Sequence, residues 1–120
     1  MEKFAFVFPG QGSQKLGMLS ALAAANPVIV NTFNEASAVL DMDLWQICQQ
    51  DSGKSLNQTE ITPPVLLAAS VAIWRCWQEQ AAARPSMVAG HSLGEYSALS
   101  CAGVLEFSDA VAMVHQRGRL

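Results

Sequence analysis

The pentapeptide Gly90-His91-Ser92-Leu93-Gly94 stands between a short strand candidate, Ser86 to His91, and a segment that reads as a helix. A Gly-x-Ser-x-Gly turn in that setting restricts the fold severely, because the chain must pass from strand to helix within a few residues and side chains at positions 90 or 94 would collide across the turn. The strand that feeds such a turn needs neighbours. Phe4 to Phe8 supplies one: large and small apolar residues alternate there with no polar face, as suits a parallel strand covered on both sides. The expected fold class is therefore α/β, built on a parallel sheet.

Helices fill the interval between the two strands. One is expected after Gly17, and a second opens at Pro27, a residue suited to the first helical position, with Ile29, Phe33, Ala36 and Leu40 on one face and Asn31, Asn34 and Glu35 on the other. Asp41 to Asp43 turns the chain into a short segment around Trp45 and Ile47, and Gln49 to Gln58 reads as a polar surface loop. Thr62 is expected to cap a helix that opens with Pro63-Pro64 and runs to Gln80, apolar almost all round for its first three turns and hence buried. Arg84-Pro85 should close it. Beyond the turn, a helix ends at Gly103 and another, capped by Ser108, runs toward Leu120. With 120 residues the chain is one domain at most, and the absence of any stop signal near Leu120 reads as a domain cut short.

Composition excludes several classes of function. Hydrophobic residues make up 51% and charged residues 14%, ample for a core and far from a disordered chain. The net charge is −3 and the seven basic residues are scattered, so nucleic acid is not an expected partner. The longest apolar run, Val65 to Trp74, is stopped by Arg75 well short of the ~20 residues that span a bilayer, and the amino terminus shows no export signal. Three cysteines with no CxxC pair argue against a disulfide framework or a zinc site, and a reducing cytoplasm fits them best. No metal is expected. Gly10-Gln11-Gly12 fails as a dinucleotide fingerprint because Lys15 stands where the third glycine belongs, and Gly53-Lys54-Ser55 fails as a phosphate loop because Cys48 replaces the first glycine.

The turn itself carries chemistry. Its serine would be exposed on a tight bend, and the helix behind it directs its amide dipoles toward charge that develops during acyl transfer, with the Leu93 amide as one donor. The plainer reading is a glycine-rich turn with an exposed serine. Helical rise adds Arg117: if the two last helices form an antiparallel hairpin, about 15 Å up from Ser92 and about 13.5 Å back from Ser108 return Arg117 to the level of Ser92. A guanidinium there would hold a carboxylate through paired hydrogen bonds, or it is a solvated arginine on a helix face. His91 adjoins Ser92 but is expected to be a packing neighbour rather than the base, and His115, two residues before Arg117, a surface histidine on another face. Neither supplies the oriented base that an activated serine needs.

Phe6-Val7-Phe8-Pro9-Gly10-Gln11-Gly12-Ser13-Gln14, then Gly90-His91-Ser92-Leu93-Gly94-Glu95-Tyr96-Ser97-Ala98-Leu99, then Gln116-Arg117-Gly118, occur in order and at the approximate spacing of malonyl-CoA:acyl carrier protein transacylases. The whole chain resembles that family, and most closely its stand-alone bacterial members of fatty acid synthesis. The resemblance implies a hydrolase-like core of which residues 1–120 are the amino-terminal part. It implies that Ser92 is the acylated nucleophile, that the amides of Gln11 and Leu93 form the oxyanion hole, and that Arg117 binds the malonyl carboxylate. It further implies malonyl-CoA and acyl carrier protein as partners, no cofactor, and a catalytic histidine and a ferredoxin-like subdomain that lie beyond position 120. Two other readings stay open: a serine hydrolase or thioesterase, which shares the turn but for which no HGGG-type motif is present, and a catalytically silent fragment, which the missing base favours.

Overall fold

The computed structural model describes residues 5–8, 19–50, 58, 60–80, 87–90 and 93–119. Strands β1 (Ala5–Phe8) and β2 (Met87–Gly90) pair in parallel, with Ala5 opposite Met87 and Phe8 opposite Gly90. Parallel neighbours cannot be joined by a tight turn; they need a crossover on the order of a dozen residues or more. Among the described residues that crossover carries α1 (Ser20–Ala25), α2 (Pro27–Leu40), α3 (Leu44–Gln49) and α4 (Thr62–Gln80). After β2 come α5 (Gly94–Cys101) and α6 (Phe107–Arg119). The expected strands are thus present, while Phe4, Ser86 and His91 lie outside the described residues.

The core forms where α2, α4 and α6 meet. Pro27 occupies the first turn of α2, and Ile29, Phe33 and Ala36 are fully buried at helical spacing, with Leu40 half-buried. Residues 62 to 72 of α4 are all buried, as its uniformly apolar first turns require. Small side chains at Ala68, Ala69, Ser70 and Ala72 let α2, α5 and α6 approach it from different sides. Phe107, Ala110, Val111 and Val114 give α6 a single apolar stripe, all buried, while its other face stays wet.

Local polar contacts fix the joints. Asp41 ends α2 with a φ of 54°, a left-handed value that aspartate tolerates better than most residues. Ser37 Oγ donates to the Phe33 carbonyl at 2.7 Å and accepts from the Leu44 N–H at 3.0 Å, which ties the end of α2 to the start of α3. Asp43 then caps α3, its Oδ1 accepting from the Gln46 N–H at 3.0 Å. Gly103, with φ of 80°, supplies the expected left-handed exit from α5.

Several expectations shift. Thr62 and Ser108, expected as caps, are the first residue of α4 and the second of α6; both caps and first turns favour short polar side chains, and backbone geometry decides between them. Gln49, expected to open the polar loop, is the last residue of α3, and α4 ends at Gln80, so Arg84-Pro85 falls outside the described residues. Glu35 is exposed on the face opposite the apolar residues, as expected, and from there forms an ion pair with Arg75 of α4. Arg75 also donates to Thr32 Oγ1 at 3.2 Å and lies 5.0 Å from the centre of the Phe107 ring, so one guanidinium links α2, α4 and α6.

Candidate active site

β2 ends at Gly90 and α5 begins at Gly94, which leaves three residues for the whole strand-to-helix reversal. So short a reversal forces backbone against backbone. A Cβ placed on Gly90 would lie 1.9 Å from the Gly94 carbonyl oxygen, 2.0 Å from its carbon and 2.6 Å from the Glu95 nitrogen. No side chain can be accommodated there without moving the chain itself, so glycine at position 90 is a steric requirement of the turn. Leu93, just before the helix, has helical φ and ψ of −55° and −34° and a side chain buried in the core, which anchors the turn from below. Its carbonyl accepts from the Tyr96 N–H at 3.1 Å. The amide dipoles of α5 sum to a partial positive charge at its amino-terminal end, where the turn joins the helix.

His91, Ser92 and Gln11 lie outside the described residues. Phe8 is paired with Gly90, so β1 and β2 end side by side.

Arg117 belongs to the last turns of α6, and its Cζ lies 5.7 Å from the centre of the Tyr96 ring, in the first turn of α5. The last turns of α6 therefore lie against the first turn of α5, as the antiparallel hairpin assumed in the rise arithmetic requires. Arg117 is exposed and, among the described residues, has no carboxylate partner. Tyr96 itself escaped the reading of the sequence, since an aromatic residue on a helix is by default a packing residue. The signal available was its sequence spacing, four residues after Ser92 at the start of the expected helix.

His115 is not the surface residue expected. It is half-buried, and its Nδ1 lies 3.0 Å from the Glu60 carbonyl oxygen, which only accepts; Nδ1 therefore carries the proton. That bond fastens α6 to the approach of α4. The cysteines offer no rival nucleophile. Burial pushes the Cys101 thiol up to about 12, against a smaller downward pull from the Arg75 charge, and the Cys48 thiol up to about 11, with a hydrogen bond from Gln49 opposing. At neutral pH neither yields useful thiolate. Cys48, Cys76 and Cys101 form no disulfide. Among the described residues no cluster of three His, Cys, Asp or Glu is placed to hold a metal, and no helix is long and apolar enough to cross a membrane. A cavity of about 290 Å³ lies at the other end of α5, lined in part by Trp74, Arg75, Cys101, Glu106 and Phe107, where Arg75 is already engaged by Glu35.

The chain is similar to known proteins over nearly its whole length. The malonyl CoA-acyl carrier protein transacylase of Salmonella typhimurium is 58% identical over 119 residues, covering 99% of this chain and 38% of that protein. The Bacillus subtilis protein of the same name is 41% identical over 120 residues, covering 30% of its length. Among solved structures, an acyl carrier protein S-malonyltransferase from Vibrio cholerae superposes with a TM-score of 0.95 at 57% identity, over 98% of this chain and 39% of that one. A malonyl-transacylase solved in complex with a type II PKS acyl-carrier protein gives the same TM-score at 60% identity, over 98% and 38%. The chain thus spans about 38% of the length of the first of these curated relatives. The family described as Acyl transferase domain matches residues 5–120, and with the glycine-bound turn between β2 and α5 inside that match, the chain belongs to the acyl transferase domain family.

Proposed function

We propose that these residues are the amino-terminal part of one acyltransferase catalytic domain that moves a malonyl group from coenzyme A to the pantetheine thiol of acyl carrier protein, in fatty acid synthesis. The observation that carries the malonyl specificity is the exposed Arg117 guanidinium, without a carboxylate partner among the described residues and held at the first turn of the helix that follows Ser92.

Ser92 Oγ attacks the thioester carbonyl of malonyl-CoA, and its proton passes to a base in the remainder of the domain, beyond position 120 together with the ferredoxin-like subdomain. The oxyanion of the tetrahedral intermediate accepts hydrogen bonds from the amides of Gln11 and Leu93; the register of Phe8 with Gly90 and the dipole of α5 support that pairing. Collapse breaks the C–S bond, and coenzyme A leaves as a thiol with the proton returned by the base. The carrier thiol then attacks the Ser92 ester, gives up its own proton, and departs as malonyl thioester while Ser92 regains its hydroxyl. One thioester replaces another, so no cofactor is required. Arg117 pairs with the malonyl carboxylate through two charge-assisted hydrogen bonds in both halves. Three cysteines without a disulfide support a reducing, cytoplasmic setting.

The test uses a full-length chimera in which residues 1–120 replace the matching segment of the Salmonella typhimurium relative. Ser92→Ala should abolish the malonyl adduct seen by mass spectrometry. Arg117→Ala should lower kcat/KM for malonyl transfer about 100-fold and for acetyl transfer less than tenfold, since only malonyl loses a partner. Equal losses for both acyl groups would remove Arg117 from carboxylate binding, and an acceptor preference for water over the carrier thiol would favour a hydrolase.

A further inference from the structure

The described residues contain two guanidinium groups stacked on aromatic rings, and they differ in one respect. Arg75 lies over Phe107, with its N–H edge occupied by the Glu35 carboxylate and the Thr32 hydroxyl. Arg117 lies over Tyr96, and among the described residues no carboxylate or hydroxyl occupies its edge. The first is the filled form of an arrangement that the second leaves open. A ring beneath the plane of a guanidinium uses its face and leaves its in-plane N–H groups directed outward, in the fork that matches a carboxylate. We infer that Tyr96 is a positioning residue for Arg117, and that through it the ring sets the preference for acyl groups that end in a carboxylate. This rests on the malonyl-transfer reading above.

The placement of Tyr96 suits the task. It is half-buried and packs against the core, and its N–H is bonded to the Leu93 carbonyl at 3.1 Å, so the ring is held by the same turn that carries Ser92. Arg117, by contrast, is exposed on a long side chain with several rotatable bonds, and an unsupported arginine loses much of its rotamer freedom on gripping a ligand. The separation of 5.7 Å is within the ~6 Å over which a ring face attracts a cation. A guanidinium already laid on a ring gives up less when the carboxylate arrives.

In the same chimera, Tyr96→Leu keeps apolar bulk and removes the ring face. The ratio of malonyl to acetyl kcat/KM should fall about threefold to tenfold, mainly through a higher KM for malonyl-CoA. Tyr96→Phe should restore the ratio to within about twofold of the parent. Combining Tyr96→Leu with Arg117→Ala should lower the ratio no further than Arg117→Ala alone. If Tyr96→Leu fails to fold by circular dichroism, Tyr96→Met gives the same readout. Equal losses for malonyl and acetyl in the ring-free variant, or a Tyr96→Phe ratio as low as that of Tyr96→Leu, would overturn the positioning role. Should Arg117→Ala lower the ratio while Tyr96→Leu leaves it intact, only this inference fails; should Arg117→Ala leave it intact, the malonyl reading itself fails.

Discussion

At the scale of single residues, Gly90 tolerates least. The atoms that a methyl group would strike, the carbonyl of Gly94 and the nitrogen of Glu95, are backbone, so relief by rotating a side chain is closed off. Gly90→Ala should therefore destabilise the full-length chimera by about 1–3 kcal/mol or more in urea unfolding. It should also cut the rate of Ser92 acylation about 100-fold, because a shift of roughly 1 Å at a nucleophile has that effect. Parent-like acylation by Gly90→Ala would show that the turn bends without harm to its chemistry. This residue was legible in the sequence because the requirement is local: strand, glycine, serine, glycine and helix follow one another. Arg117 was legible by arithmetic, since helical rise alone returns it to the first turn of α5. Tyr96 and His115 were not. The partner of Tyr96 is 21 positions away and that of His115 is 55 away, on the Glu60 carbonyl, and nothing in residue type announces such distant partners.

Among elements, α2 and α4 make the most extensive helix pair, and Phe33 is its largest fully buried side chain. Its ring meets Trp45 edge-on, with centroids 5.0 Å apart at 65°, and so joins α3 to the pair. Phe33→Ala should cost about 3–5 kcal/mol of stability, whereas Val39→Ala on the exposed face of the same helix should stay within about 0.5 kcal/mol. Chemical denaturation of both variants checks the contrast; similar losses would mean that the α2 face has been misassigned. Periodicity made these helices readable, and it named the buried face of α2 and the wholly buried start of α4. What it missed were junctions. Asp43 caps α3 through a single bond to the Gln46 N–H, but Asp41 and Asp43 look alike as turn formers in the sequence. Likewise, Thr62 and Ser108 are the right kind of residue, one and two positions inside their helices.

For the whole molecule, the two paired strands and the helices packed on them leave large apolar side chains in solvent, Ile73 and Trp77 on α4, Leu99 on α5 and Met113 on α6 among them. The 120-residue chain alone should turn over no malonyl-CoA, since the base proposed above lies in the remainder of the domain and His115 is tied to the Glu60 carbonyl. Joining it to the remaining segment of the Salmonella relative should restore transfer. A radiolabelled malonyl transfer assay compares the two forms directly, and full turnover by the short chain would require a base within these residues, His91 or His115.

The register of Phe8 with Gly90 also has a consequence for synthesis. The two strands that frame the turn are about eighty positions apart in the chain. At the roughly 5–20 residues per second of translation, β1 leaves the ribosome about 4–16 s before its partner exists. Closing a loop of that length from an open coil carries an entropy cost of about 4 kcal/mol, so the pairing gains if α2 and α4 have already drawn the ends together. The nascent chain therefore holds an unpaired strand edge for seconds while its helices form. Pairing of β1 with β2 is therefore expected to follow formation of the helices between them.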